Sequence, residues 1–302
     1  MTRIFFGQGV RGEIVRRMQR QLGLSGANVD GVFGPGTSTA IKTFQAQRKL
    51  GVTGTVDADT WQALMGAPIP VVRDRALGVT ATFEGHDFTL AQGNFDGAGI
   101  TWGIIGFNLA SGSLNLIVLQ IQASNPGLVQ QAFGANANQL LQVLKQPVSQ
   151  QLAFADSLSQ GSNKLQLAEP WRSAFGTFGT FPEVQAAQLA VADTNYFQPA
   201  LKTASTFGLK TELGLALAFD IHVQNGGIKA AAQTQIQSQL AQKPAANEQD
   251  LREIIANAVA DTASATYRND VRTRKLTLAT GAGTVHGATF ALQNWGLDNV
   301  PA

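Results

Sequence analysis

A chain of 302 residues with 44% hydrophobic and 14% charged residues has enough apolar mass for a sizeable core, which excludes a disordered chain. The absence of cysteine excludes a disulfide scaffold and thiolate metal sites, and no pair among His86, His222 and His286 has HxxxH or HExxH spacing. The formal charge of +2 is uneven: residues 1–70 hold eight Lys/Arg against four Asp/Glu, and the remainder fourteen against sixteen.

Neither a metal nor any other cofactor is therefore expected, and the histidines read as hydrogen-bonded or surface residues. The positive surplus suits the N-terminal part to an anionic polymer or surface. The basic residues are not interleaved with stacking aromatics, so no nucleic-acid partner is expected. No run approaches the ~20 apolar residues of a membrane span.

In chain order, "GEIVRRMQRQLGL" places Ile14, Val15, Met18, Leu22 and Leu24 near one helical face with a Gly-Leu stop. The turn Asp30-Gly31 and a Gly-Pro-Gly corner lead to a second helix capped around Thr37, with Ile41 and Phe44 facing inward. A third, short helix starts at Asp57 as N-cap and buries Trp61 and Leu64. Residues 67–76, with two prolines in a short space, Pro68 and Pro70, read as a linker between a domain at 1–66 and one at 77–302.

The longer part is helical by period in residues 128–144, 183–208, 211–226 and 248–263. Between them "GITWGIIGFNLASGSLNLIVL" is strand-like, with "ASGS" as a turn, although "SLNLIVLQIQAS" fits the start of a helix equally well. The fold expected is mainly α, in the α+β sense: a small three-helix module plus a larger helical domain with one short β-hairpin region.

Chemistry concentrates at Phe83–Asn108. "GAGITWG" misses the dinucleotide fingerprint because its third glycine falls one position late, and neither a P-loop nor a GxSxG elbow is present. Glu84 follows Phe83 at the end of a predicted helix, so it emerges from an apolar wall. Asp96 stands in "NFDGAG", where Gly97 and Gly99 let a sugar chain approach the backbone. An apolar carboxylic acid and a solvated carboxylate are the pair that glycoside hydrolysis needs. The same spacing also fits an ordinary Asp-Gly turn.

"MQRQLG", "DGVFGPGTSTAIKTFQ" and "GTVDADTWQAL" resemble the peptidoglycan-binding three-helix domain of cell-wall hydrolases over about residues 8–65. That resemblance implies polysaccharide binding, with Asp30 and Phe33 as contact residues, although the residues by themselves read as a turn at Asp30-Gly31 and a core aromatic at Phe33. "DGAGITWGIIGFN" resembles the glycine-rich segment of family 46 chitosanases, members of the lysozyme superfamily, and Ala192–Gly227 follows that family's helix pair through Tyr196, Phe197, Pro199, Ala200, Asp220 and Gly226. "YRNDVRTRKL" (Tyr267–Leu276) sits where that family has its "D…R…R" helix, so the resemblance spans most of residues 78–297.

The family resemblance implies Glu84 as general acid, Asp96 as general base and Thr101 as the hydroxyl holding the attacking water. It also implies inversion, which needs carboxyls roughly 6.5–9.5 Å apart. Asp220 and Arg274 are expected to be a buried structural pair. This sequence departs from the family in having Ala98 where the family has arginine, and in a shorter stretch between acid and base.

The near balance of charge over residues 71–302 and the module in front together favour peptidoglycan over cationic chitosan as substrate. "MTRIFFGQGVRGEIVRRMQRQLGL" lacks a signal-peptide core. The expectation is a monomeric, endolysin-like hydrolase made in the cytoplasm and released to the wall by a holin or an export machine. Chitosanase activity, or a non-catalytic wall-binding or phage structural role, is the alternative.

Overall fold

A computed structural model describes residues 2–85 and 87–302; His86 lies outside the described residues. The chain forms two compact units, one of residues 1–83 with 196–302 and one of Glu84–Asn195. The fold is mainly α, as the helical periods imply.

The first unit begins with three helices, α1 (Glu13–Gln21), α2 (Pro35–Gln47) and α3 (Ala58–Met65). Val15, Met18, Phe33, Ile41, Val56 and Trp61 fill their core. Asp57 caps α3 by accepting from the Thr60 N–H at 2.8 Å.

Two expectations are corrected here. Helix α2 starts at Pro35, an N1 position that suits proline, so Thr37 is a buried helical residue instead of a cap. Further along α2, Gln45 is fully buried, while Phe44, expected to face inward, is only half-buried, with the Arg48 guanidinium 5.5 Å from its ring centroid.

Gln45 and Gln19 do the same work twice. Gln19 Oε1 accepts from the Gly31 N–H (2.9 Å), and its Nε2 donates to Val32 O (3.2 Å) and Thr37 Oγ1 (3.0 Å). Gln45 Oε1 accepts from the Gly54 N–H (2.9 Å), and its Nε2 donates to Thr55 O (2.8 Å) and Thr60 Oγ1 (3.1 Å). Each buried amide pays for its desolvation by tying one helix to the following loop and to a threonine of the next helix.

Helix α4 (Val72–Glu84) takes up residues 72–76, which were expected to be linker. In the second unit, β1 (Ala91–Gln92), β2 (Thr101–Trp102) and β3 (Phe107–Asn108) make one antiparallel sheet in that order. The hairpin turn is Gly103–Gly106, and "ASGS" instead leads into helix α5 (Ser113–Ser124), so the ambiguous segment is a helix. Helices α6 (Pro126–Phe133), α7 (Ala137–Val143) and α8 (Val148–Leu158) follow. A short ladder of β4 (Ser159–Gln160) and β5 (Gln166–Leu167) precedes α9 (Trp171–Phe178) and α10 (Pro182–Ala192).

Trp102 is the anchor of that sheet. It is fully buried, stacks on Phe178 at 5.5 Å and donates its indole N–H to Phe175 O at 2.9 Å. Phe133 meets Phe175 edge-on at 4.9 Å. Burying one such ring stabilises the unit by about 1.5–3 kcal/mol, so a sheet of two-residue strands persists because aromatics pin it.

The first unit resumes with α11 (Gln198–Phe207), α12 (Glu212–Asn225), α13 (Ala230–Gln242), α14 (Glu248–Asp261) and α15 (Arg268–Thr280), then the hairpin β6 (Ala282–Val285) and β7 (Ala288–Ala291). The loop of that hairpin is His286-Gly287, with φ of 50° and 78°, the left-handed pair that a tight two-residue turn requires. His286 Nε2 lies 2.5 Å from Asp270 Oδ1, and His222 Nε2 lies 2.8 Å from Thr203 Oγ1. Both are hydrogen-bonded.

Asp220 and Arg274 form the buried pair expected of them. Arg274 Nε donates to both carboxylate oxygens at 2.9 Å and its terminal nitrogen to Oδ1 at 2.6 Å; Lys275 Nζ donates to Oδ2 at 2.5 Å and Thr80 Oγ1 to Oδ1 at 3.1 Å. Burial alone would push the Asp220 carboxyl up, but the Arg274 and Lys275 charges outweigh it and hold it at about 2.

Candidate active site

Glu84, Asp96 and Thr101 all lie on the opening stretch of the Glu84–Asn195 unit. Glu84 is the half-buried last residue of α4. Its predecessor Phe83 is buried, packs edge-on against Phe290 at 4.8 Å and has the Arg274 guanidinium 5.3 Å from its centroid. Gly85, at φ 67°, ends the helix, and Asp87 Oδ1 then accepts from the Thr89 and Leu90 N–H groups to turn the chain toward β1.

Asp96 is exposed in the loop between β1 and β2. Its Oδ1 accepts from the Ala98 N–H at 3.0 Å, and Ala98 O accepts from the Ala110 N–H at 3.0 Å. The backbone of Ala98 thus steadies the carboxylate at the position where the side chain departs from the family's arginine.

The loop is clamped from both ends. Asn94 Oδ1 accepts from the Gly99 N–H at 2.7 Å, its Nδ2 donates to Asp156 Oδ1 at 2.9 Å, and its backbone N–H donates to Ser159 Oγ at 2.8 Å. A hydrogen bond from Lys164, then one from Asn94, holds the Asp156 carboxyl below the usual carboxylate range. Gly93 is obligatory because a Cβ there would stand 2.4 Å from Lys164 O.

Gly97, at φ 85°, is exposed with open space around its Cβ position. Gly99 is corrected: it is buried, and a Cβ would meet Leu109 and Leu152 at 3.0 Å, so its job is packing and not substrate contact.

Thr101 sits on the central strand, opposite Gln92 on β1 and Asn108 on β3. It is 6% exposed, and its Oγ1 has no hydrogen-bond partner among the described residues. Behind it, the fully buried Gln188 of α10 accepts from the Ile104 N–H at 2.9 Å and donates to Phe88 O at 3.0 Å, tying the hairpin turn to the segment that leaves Glu84.

In the N-terminal module Asp30 is an exposed turn residue whose Oδ1 accepts from Gln19 Nε2 and the Val32 N–H, both at 2.8 Å. Phe33 is corrected: it has no exposed surface and is a core residue, so it does not contact a polymer. Sequence reasoning missed Asn94, Gly93, Asp156 and Gln188. The one local signal was an asparagine two residues before Asp96 in a glycine-rich turn. No three His, Asp or Glu side chains group as a metal site among the described residues, and no described helix is long and apolar enough to cross a membrane.

Residues 11–64 match the peptidoglycan binding domain family, and residues 80–255 match glycosyl hydrolase family 46. A chitosanase of Bacillus subtilis (strain 168) is 31% identical over 156 residues, 50% of each chain, so this chain spans about half the length of that curated relative. A native chitosanase from Bacillus subtilis MY002 superposes with a TM-score of 0.51 at 22% identity, covering 69% of this chain and 87% of that one. A Gynuella sunshinyii GH46 chitosanase in complex with chitotetraose gives 0.54 at 19% identity, covering 74% and 98%. These likenesses show a shared fold. With more than half of its length matched, the chain belongs to glycosyl hydrolase family 46.

Proposed function

We propose that the chain hydrolyses glycosidic bonds of an amino-sugar polysaccharide. Glu84 protonates the leaving glycosidic oxygen, and Asp96 takes a proton from the water whose oxygen attacks the anomeric carbon from the opposite face. The C–O bond to the leaving sugar breaks, and the product emerges with inverted configuration. Thr101 holds that water.

The observation that carries this site is the unpartnered Thr101 hydroxyl, buried on β2 five residues after Asp96. An unsatisfied buried hydroxyl costs about 1–3 kcal/mol, and an attacking water shared with Asp96 is the partner that relieves it.

Chitosan is the polymer this reading favours. The charge balance over residues 71–302 conceals a segregation: Glu84–Asn195 holds seven Asp/Glu against three Lys/Arg. The unit carrying the acid and base thus has a negative surplus, which suits a polycation, and the relatives named above are chitosanases. Peptidoglycan is the second reading, favoured by the match of residues 11–64 and the positive surplus of that module.

Reducing ends released from chitosan and from purified peptidoglycan at low salt test both readings. Faster release from chitosan supports the first, and faster release from peptidoglycan the second. No new reducing ends from either polymer would leave a wall-binding protein without this activity.

A further inference from the structure

The sequence treats residues 1–66 as a bead on a linker, yet the first few residues of the chain are engaged on two sides at once. On one side, the Phe5 and Phe6 N–H groups donate to Val56 O at 2.8 and 3.2 Å, the Val56 N–H donates back to Phe6 O at 2.8 Å, and the Phe6 ring lies 5.1 Å from Trp61. That side belongs to the three-helix module.

On the other side, Arg3 donates to the Glu212 carboxylate, at the first turn of α12, and to Gly296 O at 2.8 Å. Glu212 is 3% exposed; it also accepts from Arg75 of α4 at 2.6 Å and from the Asp298 N–H at 3.2 Å. The Phe5 ring lies 4.7 Å from the Arg3 guanidinium and 5.3 Å from that of Arg75, within cation–π range of both. Gly296 is a glycine for this reason: a Cβ there would meet Phe5 and Arg75 at 3.0 Å. The Gly7 N–H donates to Asn294 O at 3.0 Å, and Asn294 Nδ2 donates to Gln8 O at 3.0 Å.

We infer that residues 3–8 are a strap that locks the three-helix module onto α12 and the segment after β7, so that the wall-binding module is a fixed part of the first unit and not a tethered anchor. A buried carboxylate is stable only with its countercharges in place, and here one of them is supplied by the strap. The six residues also add three backbone hydrogen bonds to the module and two polar contacts to Asn294, more than chance apposition of two domains supplies. The inference does not depend on which polymer is cut.

The test is to insert a specific protease site between Pro70 and Val71, cut the folded full-length chain there, and run gel filtration without denaturant. The strap predicts that the cut wild-type chain elutes as one species, because residues 3–8 still hold the two pieces together. The cut Arg3→Ala/Phe5→Ala chain is expected to release the module as a separate peak, with the uncut double variant eluting as the folded wild type does. Separation of the cut wild-type chain would overturn the inference outright, with no substitution needed. Retention of the module by the cut double variant would overturn it too, by assigning the hold to other contacts.

Discussion

At the scale of single residues, the proposed function asks chemistry of Glu84, Asp96 and Thr101 and placement of Asn94 and Asp156. Thr101→Val keeps the β-branched shape on β2 and removes the unpartnered hydroxyl. The expected outcome is a fall in hydrolysis with an unchanged or slightly raised melting temperature, checked by initial rates beside thermal unfolding. Asn94→Ala removes the amide that joins the Gly99 N–H to Asp156. It should lower activity by misplacing Asp96, and Asp156→Ala should do the same more weakly; equal activity in both variants would mean that the loop needs neither tether.

Glu84 and Asp96 are legible as a carboxylate pair around a glycine-rich turn, and the family resemblance is what singles them out from the other acids of the chain. Asn94 is not legible, because its partner Asp156 is 62 residues away and no local spacing reports such a bond. Phe33 was a contact residue only through the family resemblance; its residue type and place point to the core, and it is fully buried there.

At the scale of elements, helices with clear apolar periods were legible, and the exceptions have physical causes. Helix α13, "AAAQTQIQSQLAQ", is so rich in Ala and Gln that only Ala232 and Ile236 are buried, too few to draw a stripe. The strands β1 to β3 have two residues each, shorter than one full alternation, so their existence rests on the aromatic anchor of Trp102 and on Gln188.

The pairing of α12 with α15 through Asp220 makes a further prediction. Asp220→Asn removes the countercharge that Arg274 and Lys275 share, and breaking such a buried pair typically costs about 3–5 kcal/mol. Urea unfolding should show that loss as a lower midpoint. The carboxyl is held at about 2, below its ordinary value, so its stabilisation is complete above the ordinary value and fades as the pH falls toward 2. Wild type and Asp220→Asn should therefore converge in stability in acid; a constant difference down to pH 2 would contradict the assignment.

For the whole molecule, charge is distributed by unit: Glu84–Asn195 carries a negative surplus of four and the remainder a positive surplus of six. Attraction of a polycation to the acidic unit is screened by salt, so cleavage of chitosan should slow as ionic strength rises from 10 to 200 mM. A salt-independent rate would remove the electrostatic argument for that polymer. The most direct test of Glu84 as the general acid is the initial rate of reducing-end release by Glu84→Gln, measured with its melting temperature on whichever polymer the wild type cuts. Glutamine keeps the shape but has no proton to give, so the predicted result is a fall of about 10²–10⁴-fold at a near-native melting temperature. A near-wild-type rate would contradict it.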